Sequence, residues 1–219
     1  MQPKAKVLLV DDHPLVREWL GTLINQQPDL EVCGEVANAP QALGHLAAHP
    51  ADIAIVDISM DGGSGLELIK SVKIAHPHLR VIVLSMHDEE MYAERALRAG
   101  ARGYIMKREA TKRVLEAIRA VLAGRLYLSD KMTAAMAERF VERGPRPAGS
   151  RIAELSDREL EVFELLGRGQ STRQIADDLH VSFKTVQAFC ARIKEKLQVA
   201  NATELLVEAV RWHDRRERP

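Results

Sequence analysis

Five residues, Ile53-Ala54-Ile55-Val56-Asp57, decide how the rest of the chain is interpreted. Four apolar residues in an unbroken run are typical of a strand that is buried on both faces of a parallel sheet. Asp57 then falls at the carboxyl end of that strand, which is where open α/β sheets bind their ligands. The stretch therefore predicts an α/β domain with a carboxylate in its ligand-binding crevice.

A second stretch has the same form, because the apolar run at 7–10 is followed directly by Asp11 and Asp12. Two neighbouring parallel strands that end in acid bring three carboxylates into one crevice. Such charges repel one another unless a cation lies between them. Oxygen ligands around a partly open site suit Mg²⁺, which keeps water and phosphoryl oxygens as further ligands. We therefore expect Mg²⁺ as the cofactor.

The first half of the chain alternates between short apolar runs and helical patterns. The predicted strands lie at 7–10, 32–36, 53–56, 81–84 and 103–106, and the predicted helices lie at 15–24, 40–48, 66–74, 89–99 and 114–122. Regular alternation of this kind predicts right-handed crossovers and a parallel sheet.

The composition of the chain changes at Gly124. A short helix is predicted at 131–141, and the Gly/Pro-rich run at 143–150 is typical of a flexible linker. We therefore expect a first domain at 1–123, a linker at 124–150 and a second, all-α domain at 151–219.

Four helix-start signals follow in the second domain. They are the capping boxes at 156–159 and 171–174 and the N-cap residues Ser182 and Asn201. A short turn at 179–181 joins the second helix to the third. The pattern predicts a four-helix domain that contains a helix-turn-helix, with the third helix as the recognition helix.

The outward face of the third helix is the expected DNA contact. Lys184, Thr185 and Arg192 are expected to bind phosphates, and the amide of Gln187 is expected to pair with adenine. The full expected set is Lys184, Thr185, Gln187, Ala188, Ala191, Arg192, Lys194 and Lys196. Net charge gives no support, because residues 151–219 carry 12 Lys/Arg against 12 Asp/Glu. DNA binding therefore depends on where the charges lie.

These residues carry a resemblance to a known family. Asp11-Asp12, Asp57, Ser85 and Lys107 each follow a predicted strand, in the order and approximate spacing of a response-regulator receiver domain. The stretch at 155–197, which begins Leu-Ser-Asp-Arg-Glu-Leu-Glu-Val, resembles a LuxR-type helix-turn-helix. Apart from the linker, the chain resembles the NarL/FixJ family of two-component transcription regulators.

The resemblance implies a flavodoxin-like, doubly wound (βα)5 fold with strand order 2-1-3-4-5. It implies that Asp57 is the phosphoacceptor, which takes a phosphoryl group from a phosphohistidine. Lys107 would pair with the phosphoryl oxygens, and Ser85 would donate its hydroxyl to them. Ser85 and Tyr104 are the residues of the expected switch.

The resemblance also implies a ligand set for Mg²⁺. Asp12, Asp57 and the backbone carbonyl of Ser59 would hold the ion, with Asp11 acting through water. Ser59 and His87 each stand two residues after a site residue, where the family tunes the lifetime of the phosphoryl group.

The implied partners are a sensor histidine kinase and promoter DNA, with RNA polymerase as a further candidate. A homodimer is expected on phosphorylation or DNA binding. Residues 1–6 contain no secretory signal, and no apolar run reaches membrane-spanning length, so we expect a cytoplasmic protein without a membrane partner.

Two alternatives stay open. A Mg²⁺-dependent phosphohydrolase of the haloacid dehalogenase group also uses an aspartyl nucleophile, but it needs a second Asp two residues later, where Ser59 stands. We therefore expect no enzyme. The other alternative is a phosphorylation-independent DNA-binding regulator whose receiver serves as a dimerisation module. The complete set of acidic residues and lysine argues against that alternative.

Overall fold

The computed structural model of the protein describes residues 3–60, 63–141 and 151–217. The chain divides into two compact units, Met1–Arg143 and Gly144–Pro219. The first is α/β and the second is all-α, as the sequence predicts.

A five-stranded parallel sheet forms the centre of the first unit. Its strands are β1 (Ala5–Val10), β2 (Leu30–Val36), β3 (Ile53–Val56), β4 (Arg80–Ser85) and β5 (Gly103–Met106). They lie in the order β2-β1-β3-β4-β5. The flavodoxin-like order implied by the resemblance is therefore confirmed.

Five helices connect the strands or follow them. They are α1 (Pro14–Asn25), α2 (Ala39–Ala48), α3 (Gly65–Ala75), α4 (Glu89–Ala99) and α5 (Ala110–Leu122). The last begins four residues earlier than predicted. Ala110 lies one turn before Val114 on the same buried face, so the apolar stripe extends to it.

Burial on both faces explains why the strand runs are so apolar. Every residue of β3 is buried, and Val7, Leu9, Ile53 and Ile55 form one core with helices α1 and α5. Val10 pairs with Val56 in the ladder between β1 and β3. Asp11 and Asp57 therefore leave neighbouring strands side by side.

The chain after α5 turns back against the first unit. Tyr127 forms a parallel bridge with Gly103 of the edge strand β5, and helix α6 (Asp130–Val141) follows. The short helix that the sequence predicts within the linker is thus grouped with the first unit. The Gly/Pro-rich run predicted as flexible lies outside the described residues, and the expected domain bounds stay a prediction.

Four helices form the second unit, in the predicted order. They are α7 (Asp157–Gly167), α8 (Thr172–Asp178), α9 (Phe183–Leu197) and α10 (Ala202–Glu217). Both predicted capping boxes are present, and Ser182 accepts a hydrogen bond from the backbone N–H of Thr185. Each predicted start signal is therefore used by a helix.

Close contact between α7 and α10 holds this unit together. A Cβ at Gly167 would lie 2.7 Å from the carbonyl oxygen of Ala209, so glycine is required for the contact. The ring of Trp212 lies 5.4 Å from that of Phe163. Across the described part of the chain, no helix is both long and apolar enough to span a bilayer.

Candidate functional site

Three carboxylates meet at the carboxyl ends of β1 and β3, as predicted. Asp11 and Asp57 are each only 3% exposed, and Asp12 is half-buried beside them. Ligand atoms of these residues and of His13 all lie within 4.8 Å of one another. The site is therefore a compact acidic cluster at the edge where the fold binds ligands.

One ammonium group lies in this cluster. Lys107 follows β5, and its Nζ lies 2.6 Å from Asp57 Oδ2 and 2.7 Å from Asp11 Oδ2. Burial lowers the pKa of Lys107, but the Asp57 and Asp11 carboxylates outweigh that effect and raise it overall. Lys107 is therefore held charged between the two acids.

A single ammonium does not neutralise three acids. The pKa of Asp57 is raised from 3.8 to about 6, because burial and the neighbouring Asp11 carboxylate raise it by more than Lys107 lowers it. The ionised cluster is thus electrostatically costly on its own, and its donor atoms are carboxylate oxygens. These are the ligands and the charge that Mg²⁺ prefers, so the residues present fit the expected ion.

His13 is a further member of the cluster that was not predicted from the sequence. His13 Nδ1 lies 2.6 Å from Asp12 Oδ1 and 3.2 Å from Asp11 Oδ1, with its side chain 65% exposed. Its position directly after Asp12 was the available signal. An exposed imidazole beside two carboxylates is a hydrogen-bond partner for them rather than a typical Mg²⁺ ligand.

A glycine allows helix α3 to approach the crevice. A Cβ at Gly65 would lie 1.9 Å from the carbonyl oxygen of Asp57, and the N–H of Gly65 donates to the carbonyl of Ile58 at 2.8 Å. Ser59 lies in the same turn and donates its N–H to Asp57 Oδ1 at 3.3 Å. Any larger residue at 65 would displace the loop that carries Ser59.

The expected switch residues lie on the neighbouring strands. Ser85 is fully buried at the end of β4, and its Oγ accepts a hydrogen bond from the N–H of His87 at 3.1 Å. Tyr104 on β5 is 2% exposed, and its hydroxyl donates to the carbonyl of His87 at 2.8 Å. Both switch residues therefore bind the same loop.

His87 connects these residues to the loop that follows Asp57. Its Nε2 shares a 2.6 Å hydrogen bond with Ser59 Oγ, and its ring lies 4.5 Å from that of Tyr92. The sequence analysis treated Ser59 and His87 as separate positions. The structure shows that they are in direct contact.

The predicted face of α9 is accessible. Lys184, Gln187, Ala188, Ala191 and Arg192 are all exposed. Half-buried Thr185 has its Oγ1 2.8 Å from Ser182 Oγ at the start of the helix. This surface combines an exposed side-chain amide, small side chains and cations, which suits a helix in the major groove.

Two lysines of the expected set are placed differently. Lys196 Nζ lies 2.6 Å from the Glu159 carboxylate and donates to the Glu154 carbonyl at 3.1 Å, so it binds inside the unit. Lys194 is half-buried, and it lines a cavity of about 350 Å³ together with Gln187 and Ala191 of the expected set. The expected contact of Lys196 with DNA stays a prediction, and any such contact competes with this ion pair.

Comparison with known proteins agrees with this arrangement. Residues 7–119 match the family model of the response regulator receiver domain, and residues 153–209 match that of the bacterial regulatory proteins of the luxR family. Oxygen regulatory protein NreC of Staphylococcus carnosus (strain TM300) is 35% identical over 212 residues, which are 94% of this chain and 97% of that protein.

Solved structures of RcsB are similar over nearly the whole chain. A structure of two RcsB dimers bound to two parallel DNAs is 27% identical with a TM-score of 0.58, covering 93% of this chain and 97% of that one. RcsB from Salmonella enterica serovar Typhimurium, bound to promoter rprA with the phosphomimetic BeF3⁻, is 25% identical with a TM-score of 0.58, covering 95% and 99%. The chain belongs to the NarL/FixJ-type response regulators, in which a receiver domain is joined to a LuxR-type DNA-binding domain.

Proposed function

We propose that the protein takes a phosphoryl group on Asp57 from a sensor histidine kinase and controls transcription by binding promoter DNA through α9. The observation that carries the proposal is the contact of Lys107 Nζ with both Asp57 and Asp11, at 2.6 and 2.7 Å. It places a cation where a phosphoryl group on Asp57 would project its oxygens.

The chemistry requires little beyond positioning and neutralisation of charge. A carboxylate oxygen of Asp57 forms a bond to phosphorus while the P–N bond of the phosphohistidine breaks. Lys107 stays beside the phosphoryl oxygens, and Ser85 donates its hydroxyl to one of them. Asp12, Asp57 and the Ser59 carbonyl would hold Mg²⁺, with Asp11 acting through water. When bound, the ion neutralises charge on the phosphoryl oxygens and the carboxylates.

The switch then depends on the loop after β4. Ser85 accepts a hydrogen bond from His87 N–H in this structure, and Tyr104 donates to the His87 carbonyl. Turning Ser85 toward a phosphoryl group changes the contacts of the loop that Tyr104 also binds. The phosphoryl group thereby shifts the population of receiver conformations.

DNA binding uses the exposed face of α9. Lys184, Thr185 and Arg192 are the proposed phosphate contacts, and Gln187 is the proposed base contact. Ala188, Ala191 and Lys194 are the proposed neighbours of the DNA on this face. The balanced charge of residues 151–219 favours a homodimer on two half-sites, because one copy has few cations for phosphate. The proposed location is the cytoplasm, and RNA polymerase is a proposed further partner.

A phosphohydrolase is the less favoured alternative. The position two residues after Asp57 is Ser59, whose hydroxyl contacts His87 at 2.6 Å and is not a carboxylic acid. Without a second Asp there, the general acid/base of the haloacid dehalogenase group is missing. We expect no turnover of small phosphoesters in the presence of Mg²⁺, and release of inorganic phosphate by catalytic turnover would revive this alternative.

The test of the proposed function is sedimentation equilibrium and promoter-library DNA binding, with and without acetyl phosphate and Mg²⁺. Wild type should gain dimer and DNA affinity on addition of the donor, and Asp57→Ala should not. Glu67→Gln is the matched control, since its carboxylate is 67% exposed on α3. If Asp57→Ala and wild type bind DNA equally with and without donor, the receiver is a phosphorylation-independent dimerisation module.

A further inference from the structure

We propose that residues 127–132, called the strap here, fasten helix α6 to the switch and release it when Asp57 is phosphorylated. The strap follows α5 and lies in the first part of the predicted linker, at 124–150. This inference rests on the proposed function, since it uses the same phosphoryl group as its trigger. It explains how a phosphoryl group on Asp57 would change the contacts of the residues that follow the receiver.

The strap is first fastened to β5, the edge strand that carries Tyr104. Tyr127 donates its N–H to the carbonyl of Arg102 at 3.0 Å, and its own carbonyl accepts the N–H of Tyr104 at 2.9 Å. The Tyr127 hydroxyl also donates to Glu116 of α5 at 3.1 Å. The strap thus supplies hydrogen bonds that an exposed sheet edge otherwise lacks.

The strap is also hydrogen-bonded to the start of α4. The carboxylate of Glu89 accepts the backbone N–H of Ser129 at 2.9 Å, and the Ser129 hydroxyl caps α6 by accepting from Met132 N–H at 3.1 Å. Met132 is 1% exposed. The strap also forms an ion pair, between Lys131 and Glu90 at 2.5 Å, but it is exposed and contributes little to stability.

Both contact sites of the strap, on β5 and at the start of α4, lie close in sequence to residues of the proposed switch. Tyr104 is bound by the strap through its backbone and by His87 through its hydroxyl. Glu89 stands two residues after His87, next to Asp88, which caps α4 at Glu90 N–H. A displacement of the loop that begins at Ser85 therefore moves the acceptor that holds Ser129.

The direction of the effect follows from the hydrogen bonds. When Ser85 turns toward the phosphoryl group, the N–H of His87 loses its acceptor and the loop moves. Glu89 moves with the first turn of α4, and the Ser129 N–H at the start of α6 loses its charged partner. Helix α6 then keeps the buried Met132, the exposed ion pair and the Tyr127 attachment to β5, but it has lost the contact at its first turn, and it opens more often.

The experiment is hydrogen–deuterium exchange of the full-length protein, followed on peptides from residues 130–141 with and without acetyl phosphate and Mg²⁺. Intact mass in the same samples reports whether Asp57 carries a phosphoryl group. Exchange in wild type should rise about two- to tenfold on phosphorylation, as the net contribution of one typical hydrogen bond allows. In Glu89→Ala, residues 130–141 should already exchange faster without acetyl phosphate. Addition of acetyl phosphate should then raise their exchange little further.

Two variants distinguish loss of the hydrogen bond between Glu89 and Ser129 from a general loss of structure. Glu89→Gln keeps an oxygen that accepts the Ser129 N–H, so its exchange should stay near that of wild type. Glu94→Ala removes another carboxylate of the same helix, which pairs with Arg98 one turn later, and it should leave residues 130–141 unchanged.

The outcomes separate the two proposals. If wild type gains the phosphoryl mass but residues 130–141 exchange as before, the proposed release of α6 is wrong. The proposed phosphorylation of Asp57 is then still supported. Equal exchange in Glu89→Ala and wild type also overturns the proposed release of α6. If Asp57 gains no phosphoryl group, the proposed function fails, and Glu89→Ala alone then decides whether the strap fastens α6.

Discussion

The hydroxyl of Tyr104 donates a hydrogen bond to the carbonyl oxygen of His87 at 2.8 Å, in a fully buried environment. On its other side, His87 shares a 2.6 Å hydrogen bond with the hydroxyl of Ser59, two residues after the proposed phosphoacceptor Asp57. His87 therefore connects the loop of Asp57 to the strand of Tyr104. We expect that the effect of His87 on the lifetime of the phosphoryl group and on the switch depends on Ser59.

The first prediction concerns the lifetime of the phosphoryl group. Ser59→Ala and His87→Ala should each change the rate at which phosphorylated protein loses its phosphoryl group, by several-fold. The double variant should resemble the single variants, because one hydrogen bond carries both effects and coupled residues are non-additive. The rate is measured by intact mass after removal of acetyl phosphate.

Met86→Ala is the matched control for this cycle. Met86 lies between Ser85 and His87 in the same loop, but its side chain is 71% exposed. It should dephosphorylate like wild type. Additive changes in the double variant would mean that Ser59 and His87 act separately, and four equal rates would remove the role of both.

The second prediction concerns the unfolding free energy of the first unit without Mg²⁺. Because the pKa of Asp57 is raised to about 6 in the folded state, the folded state binds more protons than the unfolded state between pH 3.8 and about 6. The contribution of Asp57 to stability therefore falls as the pH rises through that window. Asp57→Asn should be more stable than wild type by about 3 kcal/mol at pH 7.5, and by about half of that at pH 5.0.

The measurement is urea unfolding in a Trp212→Phe background, with a chelator present. Trp19 then reports the first unit alone, because the chain has only two tryptophans and Trp19 packs against the core of that unit. Glu67→Gln should show no such pH-dependent gain, since its carboxylate is exposed. An Asp57→Asn advantage of equal size at both pH values would contradict the raised pKa.

The sheet and its acidic crevice could be predicted because their causes are local in sequence. A strand buried on both faces must be apolar throughout, and the first polar residue after it marks the carboxyl end of the strand. Asp11 and Asp57 meet because Val10 pairs with Val56, which follows once the strands are adjacent. The capping boxes at 156–159 and 171–174 are local in the same way.

What the sequence did not predict depends on contacts between distant residues. Met132 is buried in the first unit, although the short helix that contains it was predicted as part of the linker. Lys196 has the spacing of a DNA contact, but it is 37 residues from the carboxylate it binds. Nothing in the local pattern distinguishes an exposed lysine from one whose partner lies on another helix.

The third prediction separates these two kinds of lysine. Lys196→Met should lower the unfolding free energy of the second unit by about 1–3 kcal/mol, because Glu159, with its side chain 4% exposed, loses its cation. Lys184→Met changes an exposed residue of the same helix and should stay within about 0.5 kcal/mol of the unfolding free energy of wild type. Urea unfolding of a Trp19→Phe background, followed by Trp212, measures both.

The two variants also differ in DNA binding. At temperatures where both are folded, Lys184→Met should bind DNA more weakly than Lys196→Met, since only Lys184 has an exposed ammonium on the DNA-facing surface. If Lys196→Met keeps full stability and loses more DNA affinity, its role as a DNA contact is restored and the ion pair with Glu159 is not important for folding.

The last prediction concerns how α9 divides affinity from specificity. Lys184→Ala should weaken binding to all DNA sequences alike and reduce the slope of log affinity against log salt by about one, because a phosphate contact releases counterions. Gln187→Ala should leave that slope unchanged. It should instead reduce discrimination at one base position by about 1–3 kcal/mol, since a bidentate amide–adenine pair is lost.

The measurement is fluorescence anisotropy at several salt concentrations, with DNA selected from a randomised library and with single-base variants of it. Lys112→Ala is the matched control, because it removes one exposed cation from α5 of the first unit. If Lys112→Ala lowers the salt slope as much as Lys184→Ala, the slope reports the overall charge of the protein and not a contact of α9. If Gln187→Ala keeps full base discrimination, the base contact lies on another residue of the same face.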